Sequence, residues 1–218
     1  MSWDDFALAW SEAFDGYDLR RSSGIRQAFM RVVHRLSGAV RFGTSLTMLV
    51  SLALAVSVPL LAWKGGPWAA AAALTLLLGQ AADAMTKARA VHNGLITRLE
   101  RFYQALVERF AELCWLVAFL AVGARLTPVV LCGFVVWAHE YLRAKVGGGA
   151  MRLAGTSTVG DRPLRIWLAV AALLLAALIS LMGRDVAAGV VTMVVLCWVA
   201  LGLIGLGQLF TFIRKVLT

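Results

Sequence analysis

Charge is scarce in this sequence. Asp, Glu, Lys and Arg make up 15% of its 218 residues while 61% are hydrophobic, and the mean hydropathy is +0.80. An ordinary soluble domain carries about 25% charged residues, so that class is excluded and an integral membrane protein is indicated. Other absences narrow the reading. Cys114, Cys132 and Cys197 all fall in apolar runs, without Cys-x-x-Cys spacing or a histidine pattern nearby, and read as small apolar fillers. The runs are long, rich in Ala and Leu, and lack period-two alternation, which excludes strands. The opening MSWDDFALAWSEAFDGYDL begins acidic instead of with a basic stretch and an apolar core, so no cleavable signal peptide is expected. Without a visible repeat or interrupted central span, an alternating-access transporter is the less attractive class.

What is present is a set of apolar runs. About 20 residues suffice to cross a hydrocarbon core roughly 30 Å thick. Six segments qualify, near Thr44–Trp63, Pro67–Ala88, Leu99–Val122, Thr127–Val146, Leu164–Met182 and Val186–Ile213. The expected class is therefore all-α and polytopic, with residues 44–218 as a six-helix membrane domain and residues 1–23 as a cytoplasmic tail, flexible or bound to a surface. Between them, residues 24–43 set Ile25, Phe29, Val32, Val33, Leu36 and Val40 at helical spacing among Arg26, Arg31, Arg35 and Arg41. That pattern predicts an amphipathic helix on the inner leaflet.

The basic residues set an orientation. Lys64, Arg125 and Arg184 are alone in the connections after the first, third and fifth spans, whereas Lys87, Arg89, Arg98, Arg101, Arg143, Lys145, Arg152, Arg162 and Arg165 crowd the others. Both termini are expected in the cytoplasm of a cell whose inner membrane holds the protein. The net charge of +9 is mostly this bias; it favours anionic phospholipid as a partner and not nucleic acid, for which no soluble module remains.

The least uniform stretch is DAMTKARAVHNGLITRLERFYQALVE, between the second and third spans. On helices, Asp83 and Lys87 share one side, and Gln104, Glu108 and Glu112 follow at four-residue spacing on another. An acid near hydrocarbon needs a cavity or a partner, so a polar pocket open to the cytoplasm is expected. The Gln104, Glu108, Glu112 ridge reads equally well as internal helix-to-helix hydrogen bonding, and Lys87 as a side chain reaching the headgroups. His34 and His92 fall in interfacial segments and are expected in water. HEY at His139–Tyr141 lacks the second histidine of a zinc helix, because Arg143 stands there, and Glu140 is expected to pair with Arg143 or Arg109.

This stretch resembles the signature of the CDP-alcohol phosphatidyltransferases, D-x2-D-G-x2-A-R-x8-G-x3-D-x3-D. With the first Asp at Asp83, Thr86 stands at the second, Lys87 at the first Gly, Ala90 at the Ala, Val91 at the Arg, Glu100 at the second Gly, Gln104 at the third Asp and Glu108 at the fourth. Every spacing fits; Asp83 and Ala90 match in identity and Glu108 conservatively. TRLERFYQALVERFAELCW resembles the third helix of actinobacterial members, and HEYLRAKVGGGAM with TVGDRPLRI resembles the end of their fourth helix and the loop into the fifth.

The resemblance implies a six-helix dimeric fold and a reaction in which an alcohol attacks a CDP-linked lipid and CMP leaves, with Mg²⁺ or Mn²⁺ on the pyrophosphate and an acid taking the hydroxyl proton. It implies metal positions at Asp83, Thr86, Gln104 and Glu108, the base position at Glu108, and acceptor or phosphate contacts from Arg143, Lys145, Arg162 and Arg165. Against it, Thr86 and Gln104 replace carboxylates and Lys87 puts an ammonium where a glycine is usual. A hard cation wants anionic oxygens, so the metal site is expected to be weak or absent, with Lys87 filling its space and no cofactor held. Two functions follow: a relative with little or no turnover that binds a CDP-linked lipid, a nucleotide or a membrane protein partner, or an active transferase with altered metal ligands that uses Mg²⁺ or Mn²⁺.

Overall fold

A computed structural model describes residues 1–14, 18–22, 24–39, 43–94, 96–147 and 158–217. The described residues form eight α-helices and no strand: α1 (Trp3–Ala13), α2 (Gly24–Ala39), α3 (Thr44–Trp63), α4 (Trp68–His92), α5 (Arg98–Val122), α6 (Leu126–Gly147), α7 (Arg162–Ile179) and α8 (Arg184–Leu217). Four stretches are long and apolar enough to cross a membrane: Thr44–Trp63, Trp68–His92, Arg162–Met182 and Arg184–Lys215. That is the construction of a membrane protein. The α5 and α6 helices fall outside that group because α5 carries charge along its first four turns and α6 at its C-terminal end.

The chain divides into two compact units. The first comprises residues 1–54 and 78–110, hence α1, α2, the start of α3, the end of α4 and the start of α5. The expectation of a tail over residues 1–23 meets a helix here. Ser2 caps α1 by accepting from the Asp5 amide, while Asp5 accepts back from the Ser2 amide, so two orphan donors are satisfied reciprocally. Spacing of Phe6, Ala7 and Trp10 gives α1 one apolar face, which packs with Leu19, Met30, Val33, Ala88 and Val91. On α2 the apolar residues divide: Met30 and Val33 are buried in this core, whereas Phe29, Val32 and Leu36 remain exposed. Val40, Arg41 and Arg152, which entered the sequence reading, lie outside the described residues.

The second unit comprises residues 55–77, 111–147 and 158–217 among those described. Its core is rich in alanine and valine around Trp115, Phe119 and Trp198, and small side chains let helix backbones approach. The closest approach lies on α8, where a Cβ at Gly205 would fall 2.5 Å from the Gly160 nitrogen and 2.7 Å from its Cα. One turn earlier a Cβ at Gly202 would meet Val135 Cγ1 at 2.6 Å. The run GLIGLGQ is thus a contact surface for α6 and for residues 158–161. Gly207, on the same helix, faces open space.

The two positions separate packing from helix propensity. Gly205→Ala is expected to lower the unfolding temperature in detergent, with an overpacking cost of about 1–3 kcal/mol. Gly207→Ala is expected to leave it unchanged or raise it, since alanine is the better helix former by up to about 1 kcal/mol. Differential scanning of the two variants beside the parent checks both.

Candidate functional site

The end of α4 and the start of α5 carry the polar residues of the first unit. At four-residue spacing Asp83 and Lys87 lie on one side of α4, and the Lys87 ammonium donates to Asp83 Oδ2 at 3.1 Å. The same nitrogen donates to Glu108 Oε1 on α5, across the turn that joins the two helices. Glu108 Oε2 faces Arg109 Nη2 at 3.4 Å. The Lys87, Asp83 and Glu108 side chains keep between 11% and 18% of their accessible surface, so the cluster is largely screened from water. Asp83, Thr86 and Gln104 are buried. The Thr86 hydroxyl donates to the Ala82 carbonyl at 2.9 Å, back into its own helix.

These donors do not fit a pair of divalent cations. Mg²⁺ takes oxygens at about 2.0–2.1 Å in octahedral geometry and is drawn to carboxylates in number. Here two carboxylates share one ammonium, the third position is a hydroxyl bonded to its own backbone, and the fourth is a carboxamide. An opposite charge at about 4 Å contributes on the order of 4 kcal/mol at an effective dielectric of 20, and the lysine supplies it without dehydrating a cation.

The second unit holds a separate polar network. Arg165, on α7 and 2% exposed, donates from Nε to the Gly160 carbonyl at 2.8 Å, from Nη1 to Glu112 Oε1 on α5 at 3.0 Å, and from Nη2 to Glu140 Oε1 on α6. The fork of a guanidinium suits three acceptors on different elements. Around it, Asp161 accepts from the Thr158 amide and hydroxyl, each at 2.8 Å, and lies 2.9 Å from Arg143 Nη2. Because the single Thr158 hydroxyl proton is committed to Asp161, His139 Nε2 is the donor in its 2.9 Å bond to Thr158 Oγ1. Gln208 of α8 accepts from the Val159 amide at 3.0 Å. Residues 158–161 are therefore tied to α6, α7 and α8. Lys145 is exposed, its ammonium 5.7 Å from the Tyr141 ring centre, and Arg162 opens α7, half-buried.

The structure thus brings together Asp83, Lys87 and Glu108, and separately Arg143 with Asp161 and Arg165 with two glutamates. Glu140, expected with Arg143 or Arg109, has Arg165 as a partner the sequence did not point to. His34 and His92, expected in water, are half-buried and stack on each other and against Phe6. The buried Glu112 was the available signal for Arg165, since a carboxylate in an apolar run demands a cation.

An apolar groove of about 410 Å³ runs between α5 and α6, walled by Leu113, Leu116, Val129, Gly133, Phe134 and Trp137. Its wall is almost wholly apolar, which suits an acyl chain.

No protein-family model matches the chain, and no curated protein matches its sequence. The polar clusters themselves carry the functional reading.

Cutting the buried network has a calculable effect. Arg165→Ala removes the guanidinium that Glu112 and Glu140 share and is expected to cost about 3–5 kcal/mol, whereas Glu112→Gln, which keeps an acceptor for Nη1, is expected to cost less. A double-mutant cycle read by thermal unfolding checks the coupling.

Proposed function

We propose that the chain is a polytopic membrane protein built like the CDP-alcohol phosphatidyltransferases, binding a CDP-linked lipid or nucleotide but turning it over little or not at all. One observation carries this reading: the Lys87 ammonium is shared by Asp83 and Glu108, the two acids that keep the spacing of the family's metal ligands. A site already neutralised by a lysine has little left to offer a divalent cation. Glu108, at the base position, is hydrogen-bonded to that ammonium. In the second unit the proposed anion contacts are Arg143, Lys145 and Arg162. Arg165, enclosed by carboxylates, acts through the residues it positions.

The second reading, an active transferase with altered ligands, draws on the same two acids. It requires Lys87 to leave them when substrate binds.

In this proposal all six apolar runs cross the inner membrane, with both termini in the cytoplasm and a homodimer as the working form. Support comes from α6, uncharged from Leu126 to Ala138, and from α5, uncharged from Leu113 to Val122. The exposed Phe29, Val32 and Leu36 of α2, flanked by Arg26, Arg31 and Arg35 on a helix without acids, fit an anionic leaflet.

Purified protein incubated with CDP-diacylglycerol, Mg²⁺ or Mn²⁺ and alcohol acceptors is expected to release no CMP above the level of a Glu108→Ala control; sustained release selects the second reading. Lys87→Gly is expected to tighten Mn²⁺ binding by about ten-fold or more, read by paramagnetic resonance. Tight binding in the parent, unchanged by the substitution, removes the basis of the proposal. For topology, cysteines placed at Lys64 and Arg125 are expected to react with an impermeant maleimide on intact cells, and one at Asn93 only after permeabilisation. A protected Arg125→Cys would reduce the spans to four.

A further inference from the structure

The N-terminal helices are joined to the end of α4 by two imidazoles. His34 of α2 and His92, the last residue of α4, stack with ring centres 4.9 Å apart and planes inclined by 14°, and His34 Nδ1 lies 3.2 Å from His92 Nε2. Phe6 of α1, fully buried, covers both rings, its centre 4.6 Å from His34 and 5.3 Å from His92, and Trp3 meets His34 edge-on at 5.9 Å. One residue from each of three helices thus meets at a single point.

That bond has a strict proton requirement. In a neutral pair one ring donates its N–H and the other offers a lone pair. A first added proton leaves the bond intact if it goes to an outer nitrogen. A second leaves two N–H groups facing each other with no acceptor between like charges. The charged groups that reach the pair are cationic on every side: the N-terminal ammonium before α1, Arg35 on α2 and the buried Arg89 on α4, with Arg31 stacked 5.4 Å over Trp3. On α1 the acids Asp4 and Asp5 lie in the first turn, and Asp5 is bonded to Ser2.

We propose that the His34–His92 pair is a proton-operated latch, which holds α1 and α2 on the end of α4 while a lone pair remains between the rings and releases them when both rings are protonated. Burial, and then the neighbouring positive charges, hold the His34 imidazole below its ordinary value. Folding therefore favours its neutral form. The stability this confers is complete above the ordinary histidine value of about 6.5 and is lost as pH falls from there through the lower folded value. Release would loosen the end of the helix that also carries Asp83 and Lys87, so the device acts on the first unit whether or not the chain is a transferase.

Hydrogen exchange of the full chain in lipid nanodiscs tests the latch, with rates corrected for intrinsic pH dependence. In the parent protein the amides of α1 are expected to lose protection by about ten-fold or more between pH 7.5 and pH 5, with a midpoint in the histidine range. In His34→Gln and in His92→Gln the step is expected to vanish, leaving α1 either protected or open at both pH values. Protection of α1 in the parent that stays within two-fold across the range overturns the latch. So does an acid step that persists in both variants. Stacking without titration is supplied by His92→Phe, which is expected to keep α1 protected at pH 5; loss of protection there with the same midpoint as the parent also overturns it.

Discussion

A charge removed from water must find an opposite charge or a hydrogen-bond partner, and in an apolar chain there are few places to find one. That constraint organises both polar clusters of this protein. Arg165 stands on α7 at 2% exposure because Glu112, Glu140 and the Gly160 carbonyl meet its guanidinium from three other elements. Such an arrangement adds less net stability than its bond count implies, since desolvating the ions offsets much of the attraction. Its main effect is on register: α5, α6 and α7 cannot slide past one another without stranding a buried ion.

Lys87 shows the same constraint turned toward function. Two acids are tolerable in a screened position only when neutralised, and here a side chain of the chain itself does so. An ammonium held by carboxylates from two helices also ties α4 to α5 within the first unit.

Much of this was legible in advance. The helical class follows from the length and composition of the apolar runs, and the joining of Asp83, Lys87 and Glu108 from four-residue spacing on two helices linked by a short turn. That Arg165 is a partner of Glu140 was not legible, because it is 25 residues away and several cations compete for the same acid. Nor was the pairing of His34 and His92, 58 positions apart, since each stands in a segment of mixed polarity that suits water equally well. The helix over residues 3–13 carried its own marks, the Ser2 and Asp5 cap and the Phe6, Ala7, Trp10 face, and was hidden by the acidic surroundings that argue for a tail.

By itself the sequence determined the environment. So many apolar residues in unbroken runs can fold only where backbone groups are satisfied within helices. It also determined which acids and bases were available near the ends of those helices. Only the tertiary structure decided which of them meet, because pairing depends on where helices from distant parts of the chain come to lie, and the spacing along one helix says nothing about its neighbour. Lys87 could have reached the headgroups, and Arg165 could have faced a ligand. Each instead closes on carboxylates, which supply the opposite charge that its own burial demands.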